Sequence, residues 1–99
     1  MRPIHLAELD KRRPVLVLTR ELVRAHLSSV TVAPITSRIR GLSTEVPVGA
    51  RNGLDQESVV ACDNITTIQV RHLDRQVGVL LTSQEEALTE AILAAFDLT

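Results

Sequence analysis

Arg13 and Thr36 are the residues of this sequence whose types and spacing could act on a phosphate group. Arg13 opens the run Arg13-Pro14-Val15-Leu16-Val17-Leu18-Thr19-Arg20, and Thr36 closes the apolar segment Val30-Thr31-Val32-Ala33-Pro34-Ile35-Thr36. Two strands pairing antiparallel about a centre near Arg24 and Ala25 would set Arg13 opposite Thr36 at one sheet edge. An arginine presents a rigid fork of donors to phosphate oxygens, and a threonine adds a neutral donor or acceptor. The plainer reading of the same residues is also open: Arg13 is one of three cations in Lys11-Arg12-Arg13, and Thr36 is a strand-end hydroxyl.

The elements that must position this pair can be read along the chain. Ile4 to Leu9 reads as a first strand, Asp10-Lys11-Arg12 as a tight connection, and Pro14 as a strand's first residue, where a missing N–H is tolerable. Arg20 to His26 is expected to form about two helical turns, packing through Leu22, Val23 and Leu27. Ser37-Arg38-Ile39-Arg40-Gly41-Leu42 is a basic loop, Thr44 to Val48 alternates as a strand does, and Asn52-Gly53 signals a turn. Ser58 to Cys62 reads as a buried strand with Asp63-Asn64 at its exit, Val70 to Leu73 as a turn of helix, and Gln76 to Leu81 as a last strand interrupted by Gly78. Ser83-Gln84-Glu85-Glu86 has the form of a capping box, and Leu88, Ala91, Ile92, Ala95 and Phe96 follow at helical spacing. The expected fold is α+β, mainly β: a compact SH3-like β-barrel with a short helix after the second strand and a C-terminal amphipathic helix, one domain over residues 1–99.

Composition narrows the chemistry further. Ninety-nine residues can bury one core. With one Phe and no Trp or Tyr, stacking bases on aromatic platforms is almost unavailable, so any nucleic acid must be held through phosphates and polar groups. The net charge of −1 hides an asymmetry, because residues 1–40 carry eight basic and three acidic side chains while residues 41–99 carry three basic and nine acidic. A basic half favours a polyanionic partner, and the acidic half argues against a general nucleic-acid coat. Cys62 is the only cysteine, which excludes a disulfide framework and reads as a buried core thiol. The carboxylates are scattered without ligand spacing, so neither a metal nor another cofactor is expected. No run approaches the ~18 apolar residues of a membrane span, and no signal-peptide core follows Met1-Arg2-Pro3, so a cytoplasmic protein with no membrane partner is expected.

The pattern RPVLV followed by TVAPIT, and then by Ser58-Val59-Val60-Ala61-Cys62-Asp63-Asn64-Ile65-Thr66-Thr67-Ile68, resembles the MazF/PemK family of toxin endoribonucleases over about Ile4 to Phe96. The resemblance implies metal-independent cleavage of single-stranded or looped RNA by attack of the neighbouring 2′-hydroxyl. It also implies a homodimer and a cognate MazE-like antitoxin with an acidic, flexible tail. Arg13 and Thr36 match the family's catalytic pair. Asp63 matches a residue that serves some members as general base, and is otherwise a turn aspartate bonding its own backbone. Asn64 stands where members carry an amide that could read a base edge or contact the sugar, and could equally shape the turn. Arg12, Arg38 and Arg40 extend a positive track for RNA, or are solvated loop cations.

Departures from the family's pattern bear on the acid and base. Asp10-Lys11-Arg12 replaces a longer loop that carries a glutamate in members, Arg2-Pro3 replaces a Gly-Asp pair, and Ala61 stands where some members carry arginine. His5, His26 and His72 share no motif, and His5 is the one whose strand entrance could face a cleft. Two rivals remain at this stage: a non-enzymatic toxin of the same fold that binds a protein target such as DNA gyrase, and a catalytically idle interaction module.

Overall fold

A computed structural model of the chain describes residues 1–98. Seven strands and two helices follow in the order β1 (Arg2–Glu8), β2 (Arg12–Val17), α1 (Glu21–Arg24), β3 (Ser29–Thr36), β4 (Glu45–Val48), β5 (Ser58–Ala61), β6 (Thr66–Gln69), β7 (Leu73–Leu80) and α2 (Glu85–Ala95). Single 3₁₀ turns lie at Ala50–Asn52, Cys62–Asn64, Val70–His72 and Thr82–Gln84. The strands form one mainly antiparallel sheet ordered β4-β5-β3-β2-β1-β7, with β6 also paired to β3. The sheet curls into a half-barrel, β4 and β7 standing at its two ends.

Both faces of this sheet are apolar, for a reason visible in β2. Its residues Val15, Leu16 and Val17 are all buried, so successive side chains feed two cores. Leu16 joins Ile4, Ala33, Ile35, Val46, Val60, Leu80 and the α2 residues Leu88 and Ala91 on one face. Val15 and Val17 join Ala7, Val30 and Val32 on the other. Val, Leu, Ile and Ala therefore do the packing that larger side chains share in other small domains.

The hairpin register follows the expectation. Val15 pairs with Pro34, Leu16 with Ala33 and Val17 with Val32, which is the pairing centred near Arg24 and Ala25. Against its other edge β3 meets two segments in succession. Ile35 pairs with Val60 of β5, and Val32 with Thr66 of β6. Two residues of β3 thus face five of the partner, so three surplus residues leave the ladder as the 3₁₀ turn Cys62–Asn64. Cys62 turns inward to the core, while Asp63 and Asn64 are exposed.

Four local expectations are corrected. α1 is a single turn with no buried residue, and Leu22 is 86% exposed, because four residues cannot lay an apolar face on the sheet. Thr66–Gln69 forms a strand that the sequence pattern did not single out. Ser83 does not cap α2: the chain tightens into the turn Thr82–Gln84, and the Gln84 side chain accepts from the Leu81 N–H at 2.9 Å. Phe96 lies beyond the end of α2 and is 55% exposed, so Leu88, Ala91, Ile92 and Ala95 carry the helix's packing face without it.

Candidate active site

Continuing the β2–β3 register two residues past the Val15–Pro34 pair brings Arg13 across from Thr36. Period two puts Arg13 on the face of Val15 and Val17, and Thr36 on the face of Pro34 and Val32. The two side chains consequently line the same openings. One is a cleft of about 440 Å³ that also takes in Arg38, Arg40, Thr44, Glu45, Asp63 and Asn64. The other, of about 310 Å³, lies toward Leu6, Pro14, Leu54 and Gln56 and shares the rim formed by Lys11, Arg13, Thr36 and Ser37.

Arg13, Thr36 and Asp63 in the larger cleft each have a nearby partner. Asp10 accepts from Arg13 Nη2 at 3.1 Å, while Arg13 Nε is buried without a hydrogen-bond partner among the described residues. The Arg38 N–H donates to Thr36 Oγ1 at 3.1 Å, which leaves the threonine's own O–H to donate elsewhere. The Thr44 hydroxyl donates to Asp63 Oδ2 at 2.7 Å. Asp63 is therefore tied across the cleft to Thr44 and not, as a simple turn aspartate would be, to its own backbone.

The basic loop between β3 and β4 is shaped by an acid. Glu45 Oε1 accepts from the N–H groups of Arg40, Gly41 and Leu42 at 3.2, 2.9 and 3.2 Å. Gly41 sits at φ 75°, the left-handed conformation that lets three successive N–H groups converge on one carboxylate. This brace sets Arg38 and Arg40 along the cleft wall.

Of the residues named from sequence, Arg13, Thr36, Arg38, Arg40, Asp63 and Asn64 thus surround one opening. Arg12 is not among them. Its guanidinium is held by Glu8 at 3.2 Å and by Asp74, whose carboxyl it keeps below the usual carboxylate range, and it borders only the smaller chamber. His5 bonds the Asp74 carbonyl through Nδ1 at 2.7 Å, and no histidine lines either opening. Cys62 is 1% exposed, and burial, followed by the charge of Asp63, pushes its thiol up to about 11. Among the described residues no group of three or more His, Cys, Asp or Glu side chains could hold a metal ion, and no helix is long and apolar enough to cross a membrane.

Sequence reasoning passed over Asp10, Thr44 and Glu45. Asp10 had a faint signal, an acid three residues before Arg13. Glu45 had none, since its partners are backbone N–H groups.

The architecture that carries this site is a curled, mainly-β half-barrel with a C-terminal helix, its cleft lined by Arg13, Thr36, Arg38 and Arg40. Residues 3–96 match the PemK-like, MazF-like toxins of type II toxin-antitoxin systems, and the chain belongs to that family. It is 69% identical to the endoribonuclease MazF3 of Mycobacterium tuberculosis, over 99% of this chain and 95% of that protein. Identity to the probable endoribonuclease MazF5 of the same species is 33%, over 93% of this chain and 84% of that protein. The solved structure of the M. tuberculosis toxin MazF-mt6 superposes with a TM-score of 0.97 at 68% identity, covering 99% of both chains.

Proposed function

We propose that this protein is an endoribonuclease toxin that cuts single-stranded or looped RNA by attack of a ribose 2′-hydroxyl on the adjacent phosphorus. The observation that carries the reading is the meeting of Arg13 and Thr36 on one face of the hairpin, in a cleft that the looped-out Asp63 also enters. In this reading Arg13 and the Thr36 hydroxyl hold the non-bridging oxygens of the scissile phosphate, where charge grows as the 2′-oxygen adds. Fixed donors aimed at such a developing oxyanion are worth about 10²–10³ in rate per group. Thr44 engages one carboxylate oxygen of Asp63, leaving the second to take the 2′-hydroxyl proton. The new bond from 2′-oxygen to phosphorus forms as the bond to the 5′-oxygen breaks, and the leaving oxygen takes a proton from solvent. Arg38, Arg40 and Asn64 hold the strand on either side, while Arg12, its guanidinium taken by Glu8 and Asp74, adds little net charge to the track.

The family description names a toxin-antitoxin system, which supports a cognate antitoxin as partner. In this reading the antitoxin's acidic, flexible tail fills the basic cleft, and the toxin acts as a homodimer in the cytoplasm. Neither the gyrase-binding rival nor the idle module needs Arg13 and Thr36 to converge. The test is cleavage of RNA in EDTA with identification of the ends. A 2′,3′-cyclic phosphate and a 5′-hydroxyl are expected, and a deoxyribose at the cut should abolish cleavage. Strict Mg²⁺ dependence, or undiminished cutting of the deoxy substrate, overturns the mechanism.

A further inference from the structure

We infer that Glu45 is a positioning residue for RNA. Its carboxylate, seated in the N–H groups of Arg40, Gly41 and Leu42, holds the β3–β4 loop in a conformation that presents Arg38 and Arg40 to the strand, and does so without neutralising either cation. The inference rests on the reading of the cleft as an RNA site. Its starting point is a conflict of charge, because Glu45 lines the same opening as Arg38 and Arg40. A carboxylate on the path of a polyanion repels it, so by charge alone Glu45 would weaken binding.

The loop between β3 and β4 depends on this carboxylate for its shape. Ser37 to Ser43 are all exposed, and the two apolar side chains among them, Ile39 and Leu42, are 52% and 47% exposed, so the core does not hold the segment. It is tied at its start by the Arg38 N–H on Thr36 Oγ1, and at its end by the Leu42 carbonyl, which accepts from the Glu45 N–H at 3.1 Å. Glu45 itself stands on a fixed strand: it opens β4 opposite Ala61 of β5, and the next residue, Val46, is buried in the core. One of its carboxylate oxygens accepts from three successive N–H groups, and the other lies 3.4 Å from the Arg40 nitrogen. A Cβ on Gly41 would meet nothing within 4 Å, so the glycine serves its φ of 75° and not a lack of space.

The same bonds resolve the conflict of charge. Arg2 pairs with Glu85, Arg12 with Glu8 and Asp74, and Arg13 with Asp10, whereas Arg38 and Arg40 make no ion pair among the described residues. An ionised carboxylate only accepts hydrogen bonds, and that of Glu45 is directed at backbone N–H groups whose convergent dipoles offset its charge. Both guanidiniums therefore remain open to phosphate oxygens. They follow Thr36 closely along the chain and line the same opening, so a strand whose scissile phosphate sits at Arg13 and Thr36 meets them with its flanking phosphates. Without the brace the loop would spread the same charges over many positions, and binding would bear the cost of ordering them.

The experiment measures steady-state RNA cleavage, and binding of an uncleavable all-deoxy strand of the preferred sequence over a series of salt concentrations. It uses the full chain, Glu45→Ala, Gly41→Val, the double variant Arg38→Ala/Arg40→Ala, and Arg13→Ala. Glu45→Ala should raise KM about tenfold, the scale of two phosphate contacts, and change kcat little, although it removes a negative charge from the cleft. The slope of log affinity against log salt should shrink by about 1.4 in the double arginine variant, at about 0.7 per phosphate contact on a single strand, and part of the way in Glu45→Ala. Gly41→Val keeps every charge and strains only the left-handed turn, so it should weaken binding in the same direction. It lies at an exposed position clear of the core, and decides the matter even if Glu45→Ala melts below the parent. Binding by Glu45→Ala as tight as the parent's or tighter, which charge alone predicts, overturns the inference, as does a Gly41→Val that binds like the parent. A double arginine variant with the parent's affinity and salt slope refutes instead the RNA track on which the inference stands, and undiminished cleavage in Arg13→Ala refutes the phosphate seat.

Discussion

Arg13 carries its evidence at two different nitrogens. Nη2 is satisfied by Asp10, whereas Nε is buried with no partner among the described residues, a state that costs about 1–3 kcal/mol for an unpaired polar group. A phosphate oxygen that reached it would recover part of that cost, so substrate binding and relief of the orphaned donor reinforce one another. Arg13→Ala should then lower kcat/KM by about 10²-fold or more without lowering the melting temperature, and Arg13→Lys should restore only part of it, because a point charge cannot reproduce a planar fork. Initial rates beside thermal melts check this, and near-normal turnover in Arg13→Ala refutes it. Cys62 gives a second residue-scale expectation. Burial makes its thiol hold its proton up to about 11 in the folded state, above its ordinary 9.0, so stability is unaffected below pH 9 and falls as pH rises from 9 toward 11. Urea midpoints across that window should show the decline in the parent and a flatter profile in Cys62→Ala.

At the scale of elements, the loop from Gly49 to Glu57 is pinned to β7 and to the start of α2. Asn52 and Gln84 exchange amide bonds at 2.6 and 3.3 Å, and Asn52 also donates to the Val79 carbonyl at 3.0 Å. Asn52→Ala should destabilise the fold by about 1–3 kcal/mol by leaving Gln84 and the Val79 carbonyl short of partners, measurable by denaturant unfolding. Gly78→Ala should do worse, since a Cβ there would fall 1.7 Å from the Asn52 carbonyl oxygen, and soluble yield reports it. Neither contact was legible beforehand: Gly78 read only as an interruption of a strand, and Asn52 as half of a turn signal. The β2–β3 register was legible because Val15, Leu16 and Val17 must all be buried and the segment lengths admit one centre. β6 was not, since Thr66, Thr67 and Gln69 are exposed and its pairing depends on β3, far away in sequence. The same division runs through the site. Arg13 and Thr36 could be matched by register and motif, but the Thr44–Asp63 bond arises only when β4 lies beside β5, and the Glu45 brace is made to backbone N–H groups that leave no side-chain pattern.

For the whole molecule, four cations of the basic half, Lys11, Arg13, Arg38 and Arg40, line one cleft, and the proposed antitoxin tail and RNA would need the same charges. Binding of the two should be mutually exclusive. A competition titration with labelled, uncleavable RNA checks it, and an inhibitory antitoxin that saturates while RNA affinity stays unchanged would show that inhibition acts from elsewhere. The sheet order has a consequence for when such a toxin becomes dangerous. β1 is the first strand synthesised, yet one of its edges waits for β7, and Arg2 pairs with Leu80. The core face beneath β1 waits longer still, for Leu88 and Ala91 of α2. At about 5–20 residues per second, translation from Asn64, the last cleft residue made, to Leu80 takes roughly 1–3 s, during which every candidate cleft residue exists but the sheet that aligns them has not closed. Toxicity is therefore delayed by topology until nearly the entire chain has emerged, and a nascent toxin passes through an interval in which an antitoxin already present can meet it before it can cut.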